Sequence, residues 1–222
     1  QVFDQDGNAQ HTDVNTGLVE DIIVSEAIAI RAVEYKMTAL DNGSYAVTWS
    51  TENLNNREYS GGVYAQVYDS NGTAQHTNAN GDVEDIVISI GGTRQVNPEI
   101  TTLDSGSFVV SWFEHTTTQG FTLVSQIFNA NGDALTSAMM AGRAQPNYDS
   151  DVTALSTGGY VVAWTENIPN TYDSQLHIQI YDASGIIQNN NSAVNTIANL
   201  PNHPVITALS GGGFVLTWNS VL

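Results

Sequence analysis

Two oxygen-rich turns offer the first chemistry in the chain. Asp4-x-Asp6-Gly7 and Asp69-x-Asn71-Gly72 set side-chain oxygens at alternate positions ahead of a glycine. Calcium takes about six to eight such oxygens from carboxylates, amides and carbonyls. Asp4, Asp6, Asp69 and Asn71 are therefore the expected metal ligands, with calcium the expected cofactor. The pattern stops short of an EF-hand, because the later ligands and the terminal Glu are missing. Asn129-x-Asn131 and Asp182-x-Ser184 repeat it with less charge, and a plain hairpin turn is the simpler account of all four.

Ligand-binding residues are expected on two similar connectors, QHTDVNTGLVEDIIVS from Gln10 and QHTNANGDVEDIVIS from Gln75. They carry the acidic pairs Glu20/Asp21 and Glu84/Asp85, and loops on a rigid scaffold are where function usually sits. His11 and His76 occupy matching places in them; a solvated loop histidine is the simpler reading of each. Arg31 and Arg94, with Arg143, lie shortly before a strand in three successive units. They complete the expected ligand-binding set of Arg31, Arg94, Glu20, Asp21, Glu84 and Asp85. No nucleophile elbow, His-Glu-x-x-His or phosphate loop occurs.

Composition narrows the partners. Twenty-three acidic residues face five Lys and Arg, for a formal net charge of −18. Such a surface repels nucleic acid, whose binding runs on cationic contacts to phosphate, and it repels anionic membranes. The absence of Cys excludes disulfides and thiolate sites. No run of 18 apolar residues is present, so no membrane-inserted helix is expected.

The elements that must position these groups are repeats. ITTLDSGSFVVSWFE at Ile100 recurs at Met37, Val152 and Ile206, and QVYDSNGTAQ at Gln66 recurs at Gln1, Gln126 and Gln179. Each unit thus reads as four short antiparallel strands, A to D, which is the signature of a propeller blade. The spacing predicts an all-β, four-bladed β-propeller with blades over 33–92, 97–140, 146–197 and 203–222 plus 1–24. The N-terminal strands are expected to close the last blade, removing exposed edges. Opening mid-pattern at Gln1 is what a piece cut from a longer protein would show.

Strand B alternates large and small residues: Tyr45, Val47 and Trp49 share one face, Ala46 and Thr48 the other. This alternation predicts sheets stacked large face on small face, with Trp49, Trp112, Trp164 and Trp218 as core. The recurring Gln is expected to be a buried amide bonded to backbone. In strand A, Thr38, Thr101, Thr153 and Thr207 are in register, and two residues earlier stand Lys36, Glu99, Asp151 and Val205. Residues two apart share a face, so an innermost strand A would line a central channel with both sets.

Leu155-Ser156-Thr157-Gly158-Gly159-Tyr160-Val161-Val162-Ala163-Trp164 and Gln179-Ile180-Tyr181-Asp182 resemble a repeat family of very large secreted bacterial proteins, often RTX-type adhesins. The resemblance covers nearly the whole chain. It implies an exported multi-domain parent, type I secretion, an extracellular or cell-surface location and a role in adhesion. The long early connectors depart from that family's shorter ones. The expectation is a non-catalytic binding module, calcium-stabilised, with a cell-surface glycan or protein and the parent's flanking domains as partners. The alternatives are a propeller glycosidase or its accessory domain, and a purely structural spacer. Sialidase-like propellers hold a substrate carboxylate with several Arg, yet their Ser-x-Asp-x-Gly-x-Thr-Trp box does not occur here.

Overall fold

The computed structural model describes residues 1–12, 15–19, 21–22, 24, 30–41, 43–53, 61–90, 94–117, 120–144, 149–168, 173–189, 192–194 and 201–220. Among them no helix occurs, and the strands form four antiparallel sheets. The first is β1 (Ile30–Ala39), β2 (Tyr45–Asn53), β3 (Val63–Tyr68) and β4 (Ile86–Ser89). The second is β5 (Arg94–Thr102), β6 (Phe108–Thr116), β7 (Gly120–Phe128) and β8 (Met139–Arg143). The third is β9 (Ser150–Ala154), β10 (Tyr160–Asn167), β11 (Ser174–Tyr181) and β12 (Ser192–Ala193). The fourth has, among the described residues, two strands, β13 (Asn202–Ala208) and β14 (Phe214–Asn219).

Each turn is dictated by its residues. Between the third and fourth strands, Asp69 Oδ1 accepts the N–H groups of Asn71 and Thr73, both at 2.9 Å, and Asp182 Oδ1 does the same for Ser184 and Ile186. Gly72 and Gly132 take positive φ here, at 86° and 90°. Glycine is required twice over, because a Cβ on them would strike the side chains of Ile22 and Ile86 from the neighbouring blade position.

The recurring Gln locks the third strand to the loop after it. Gln66 Oε1 accepts the Val67 and His76 N–H groups at 2.8 and 3.0 Å, while its Nε2 donates to the Glu84 carbonyl at 2.8 Å. Gln126 donates to the Thr136 carbonyl at 2.7 Å. The expectation of a backbone-bonded amide holds.

Large faces pack on small faces. Phe108, Val110 and Trp112 of the second sheet meet Ala46, Val63 and Ala65 of the first. Tyr160, Val162 and Trp164 of the third meet Val109, Leu123 and Ile127 of the second. Phe214, Leu216 and Ile206 of the fourth meet Val161 and Ala163 of the third. β1, β5, β9 and β13 pack side by side in series, so the first strand of every sheet is innermost.

The N-terminal residues lie against the first sheet, where the outer strands of a preceding blade belong. His11 Nδ1 is 2.7 Å from the Asn71 carbonyl, as His76 Nδ1 is 3.0 Å from that of Asn131. The expected pairing of these residues with the last strand is not among the pairings of the described residues, where β14 pairs with β13 alone. Ring closure depends on the summed angle between sheets, which packing sets and a repeat pattern does not encode.

Candidate functional site

The inner strands share a local irregularity. The register of β1, β5 and β13 shifts between Val33 and Lys36, Val96 and Glu99, and Asn202 and Val205. At each shift a non-glycine residue adopts positive φ: Glu34 at 55°, Asn97 at 50° and His203 at 48°. An extra residue in one strand of a pair re-aims side chains, and such bulges gather near active sites. Asp149 holds the matching position just before β9.

Side chains at and beside these positions bridge one inner strand to the next. Glu34 Oε2 accepts the Asn97 N–H at 2.8 Å and the Ser50 hydroxyl at 2.5 Å. Lys36 Nζ pairs with Glu99 Oε1 at 2.7 Å. Asp149 Oδ2 accepts the His203 N–H at 3.2 Å, with its Oδ1 3.2 Å from His203 Nδ1. Asp151 Oδ2 accepts the Ile206 N–H at 2.8 Å and its Oδ1 the Val152 N–H at 2.9 Å. Five charged side chains thus bridge consecutive inner strands, and four of them, Glu34, Lys36, Glu99 and Asp151, act on one another electrostatically.

Their electrostatics are those of a shared, partly dry site. Burial pushes the Glu99 carboxyl above its usual range; the Lys36 ammonium opposes this, and the Asp151 and Glu34 carboxylates add to it. Burial raises Asp151 as well, against the backbone N–H groups of Ile206 and Val152 and the charge of Lys36. Two carboxyls that hold their protons longer than usual, beside a third and an ammonium, can serve acid–base chemistry.

The residues singled out from the sequence are distributed differently. Lys36, Glu99 and Asp151 come together as the register implied, although Thr38 meets the hydroxyl of Thr102, at 3.0 Å, rather than Thr101. Arg31 pairs with Glu52 across β1 and β2 at 2.9 Å, and Arg94 lies 5.9 Å over the Phe121 ring. The two arginines are thus engaged within their own sheets. Asp21, Glu84 and Asp85 are exposed, and Glu20 lies outside the described residues.

Asp4 Oδ1 accepts the Asp6 and Asn8 N–H groups, both at 2.9 Å, as Asp69 Oδ1 accepts those of its own turn. Among the described residues no three His, Asp or Glu converge as a metal centre. Glu34, Asp149 and His203 were missed by sequence reasoning. Their common signal, the second residue before the Lys36, Glu99, Asp151 and Val205 register, was there to be found.

No protein-family model matches the chain, and no curated protein matches it. Solved structures do share its fold. A protein of unknown function from Dyadobacter fermentans is 11% identical, with a TM-score of 0.63 over 91% of this chain and 66% of that one. The GH93 α-L-arabinofuranosidase of Fusarium graminearum is 11% identical, with a TM-score of 0.51 over 89% and 60%. The endo-arabinase of Bacteroides thetaiotaomicron is 11% identical, with a TM-score of 0.50 over 96% and 75%. The fold is that of a β-propeller.

That company corrects the expectation of a non-catalytic adhesion module. Two of the proteins sharing this architecture are named as an endo-arabinase and an α-L-arabinofuranosidase. At 11% identity the likeness is one of fold, and the chain spans only 66% and 60% of the first two proteins named.

Proposed function

We propose that the chain is a carbohydrate-active propeller, a glycosidase or its catalytic portion, working at the axial cluster. The observation that carries this is the pair of burial-raised carboxyls, Glu99 and Asp151, on adjacent inner strands. Glycoside hydrolysis needs one carboxyl that holds a proton for the leaving oxygen and one that is ionised to act as base or nucleophile. Asp151 receives two backbone N–H groups, which favour its ionised form and fix its direction. Glu99, raised by burial against the opposing Lys36 ammonium and further by the Asp151 and Glu34 carboxylates, is the proton donor. A net charge of −18 favours neutral over acidic glycans.

The experiment is reducing-sugar release from arabinan-type oligosaccharides first, since two structural neighbours are named for such substrates, and then from other neutral glycans. Turnover is expected, with Glu99→Gln and Asp151→Asn each lowering kcat by at least about 100-fold while circular dichroism stays unchanged. Glu99→Gln should also remove one limb of the pH–rate profile. No turnover on any neutral glycan would end the hydrolytic reading. Binding without turnover would favour an accessory domain, a reading supported by the structural bonds that Asp149 and Asp151 already make.

A further inference from the structure

Lys36 is the single lysine in a sequence that carries 23 Asp and Glu, and the fold sets it among three of those acids. It lies opposite Thr48 in the first sheet, as Glu99 lies opposite Ser111 in the second and Asp151 opposite Ala163 in the third. The three therefore hold one repeat position on consecutive inner strands.

The acids around Lys36 are held in two ways. Glu34 is fixed by the Asn97 N–H and the Ser50 hydroxyl, and Asp151 by the N–H groups of Val152 and Ile206. Glu99 is held by a side chain, the Lys36 ammonium, at 2.7 Å from Oε1. The titratable groups on the neighbouring inner strands are Glu34 and Lys36 in β1, Asp149 and Asp151 before and in β9, and His203 in β13. Burial raises the proton affinity of Glu99; Lys36 opposes this, and Asp151 and Glu34 add to it. Burial raises Asp151 too, and Lys36 opposes that rise after the two backbone N–H groups. One ammonium thus acts on both carboxyls that the proposed chemistry needs.

We propose that Lys36 is the positioning residue of these acids: it anchors Glu99 by Oε1 and sets the pH at which the Glu99 proton leaves. Its part in catalysis rests on the glycosidase reading above. The oxygen that accepts an N–H from a cation is the less basic of the two, so the proton of Glu99 sits on Oε2. Without the ammonium, Glu99 would face the Asp151 and Glu34 carboxylates alone, and like charges keep a proton on longer. Asp151 would rise by less, because Lys36 acts on it as a charge and not through a hydrogen bond.

A carboxyl NMR titration tests this with no substrate present. On the 13C-labelled chain, Glu99→Gln identifies the Glu99 resonance. Lys36→Met is expected to raise the Glu99 midpoint by about one pH unit or more, and Lys36→Arg to undo most of that rise. Acetylating the folded protein removes the same charge with no refolding step and should raise the midpoint alike; acetylated Lys36→Met, the control for reaction elsewhere, should show no further change. Where the chain turns over a glycan, both limbs of the kcat/KM profile should move to higher pH in Lys36→Met, the alkaline limb further, because the acid must be protonated and its partner ionised. A Glu99 midpoint that stays put in both Lys36→Met and the acetylated protein overturns the proposal. So do limbs that stay put while the rate falls at every pH, the result a simple brace between strands would give. A chain without turnover ends the glycosidase reading alone, since the titration still decides what Lys36 does to Glu99.

Discussion

Gln66 shows how much one side chain can do in a repeat. Its amide satisfies two backbone donors and one backbone acceptor that lie in different strands and loops, and it is almost fully buried. Replacing it with Ala would leave those groups without their partner in a dry place. A stability loss of about 2–3 kcal/mol is expected in urea unfolding. Gln1→Ala, at the same repeat position but exposed, should stay within about 0.5 kcal/mol. Equal losses would mean that the amide matters for something other than burial. The Asp at the head of each hairpin works on the same scale, but in water, where its bonds count for less.

Tryptophan separates complete blades from the incomplete one. Trp49, Trp112 and Trp164 are 0–1% exposed, and Trp218 is 39% exposed. The residue type, strand and face are the same; what differs is the third strand, whose Tyr64, Val124 and His177 lie beside the buried rings. Trp112→Ala should therefore cost about 3–5 kcal/mol by cavity formation, and Trp218→Ala no more than about 1 kcal/mol, read as urea midpoints on dilute protein. The stacked pairs Phe108–Phe128 and Tyr160–Tyr181, 5.4 and 4.7 Å between centroids, show the covered arrangement. Among the described residues Phe214 has no such partner across β14.

The whole molecule is acidic, and two of its carboxyls are half-buried. Glu99 and Asp151 bind protons more tightly folded than unfolded. Between the unfolded carboxylate range, about 4 to 4.5, and their raised folded values, the native state carries more protons. Stability therefore rises as pH falls through that window and is lost as pH rises through the folded values. Release of general charge repulsion acts in the same direction. The urea midpoint should hold or increase from neutral pH toward about pH 5, and Glu99→Gln should flatten part of that change even at high salt. Asp4 has the opposite sign: the Asn8 backbone N–H keeps its carboxyl below the usual range, so its contribution disappears only in stronger acid. A midpoint that drops steadily from neutral pH, unaltered by Glu99→Gln, would count against the buried-carboxyl account.

The repeat of antiparallel strands, the turns, the buried amide and the large-on-small stacking were legible in the sequence, but not the place of the fourth strand, which begins at Met139 in the second sheet, several residues beyond the turn. Each is written locally, by an alternation of two along a strand or by an Asp and a Gly in one hairpin. Register even placed Lys36, Glu99 and Asp151 on one face of the inner strands. What the tertiary structure decided was which of these meet and which ends stay open. At the bulges the Glu34 carboxylate reaches the Asn97 N–H of the next inner strand and His203 reaches back to Asp149, contacts that join residues more than fifty positions apart. Whether the last sheet finds its missing strands depends on the angles accumulated over all the interfaces, a sum to which no single repeat holds the key.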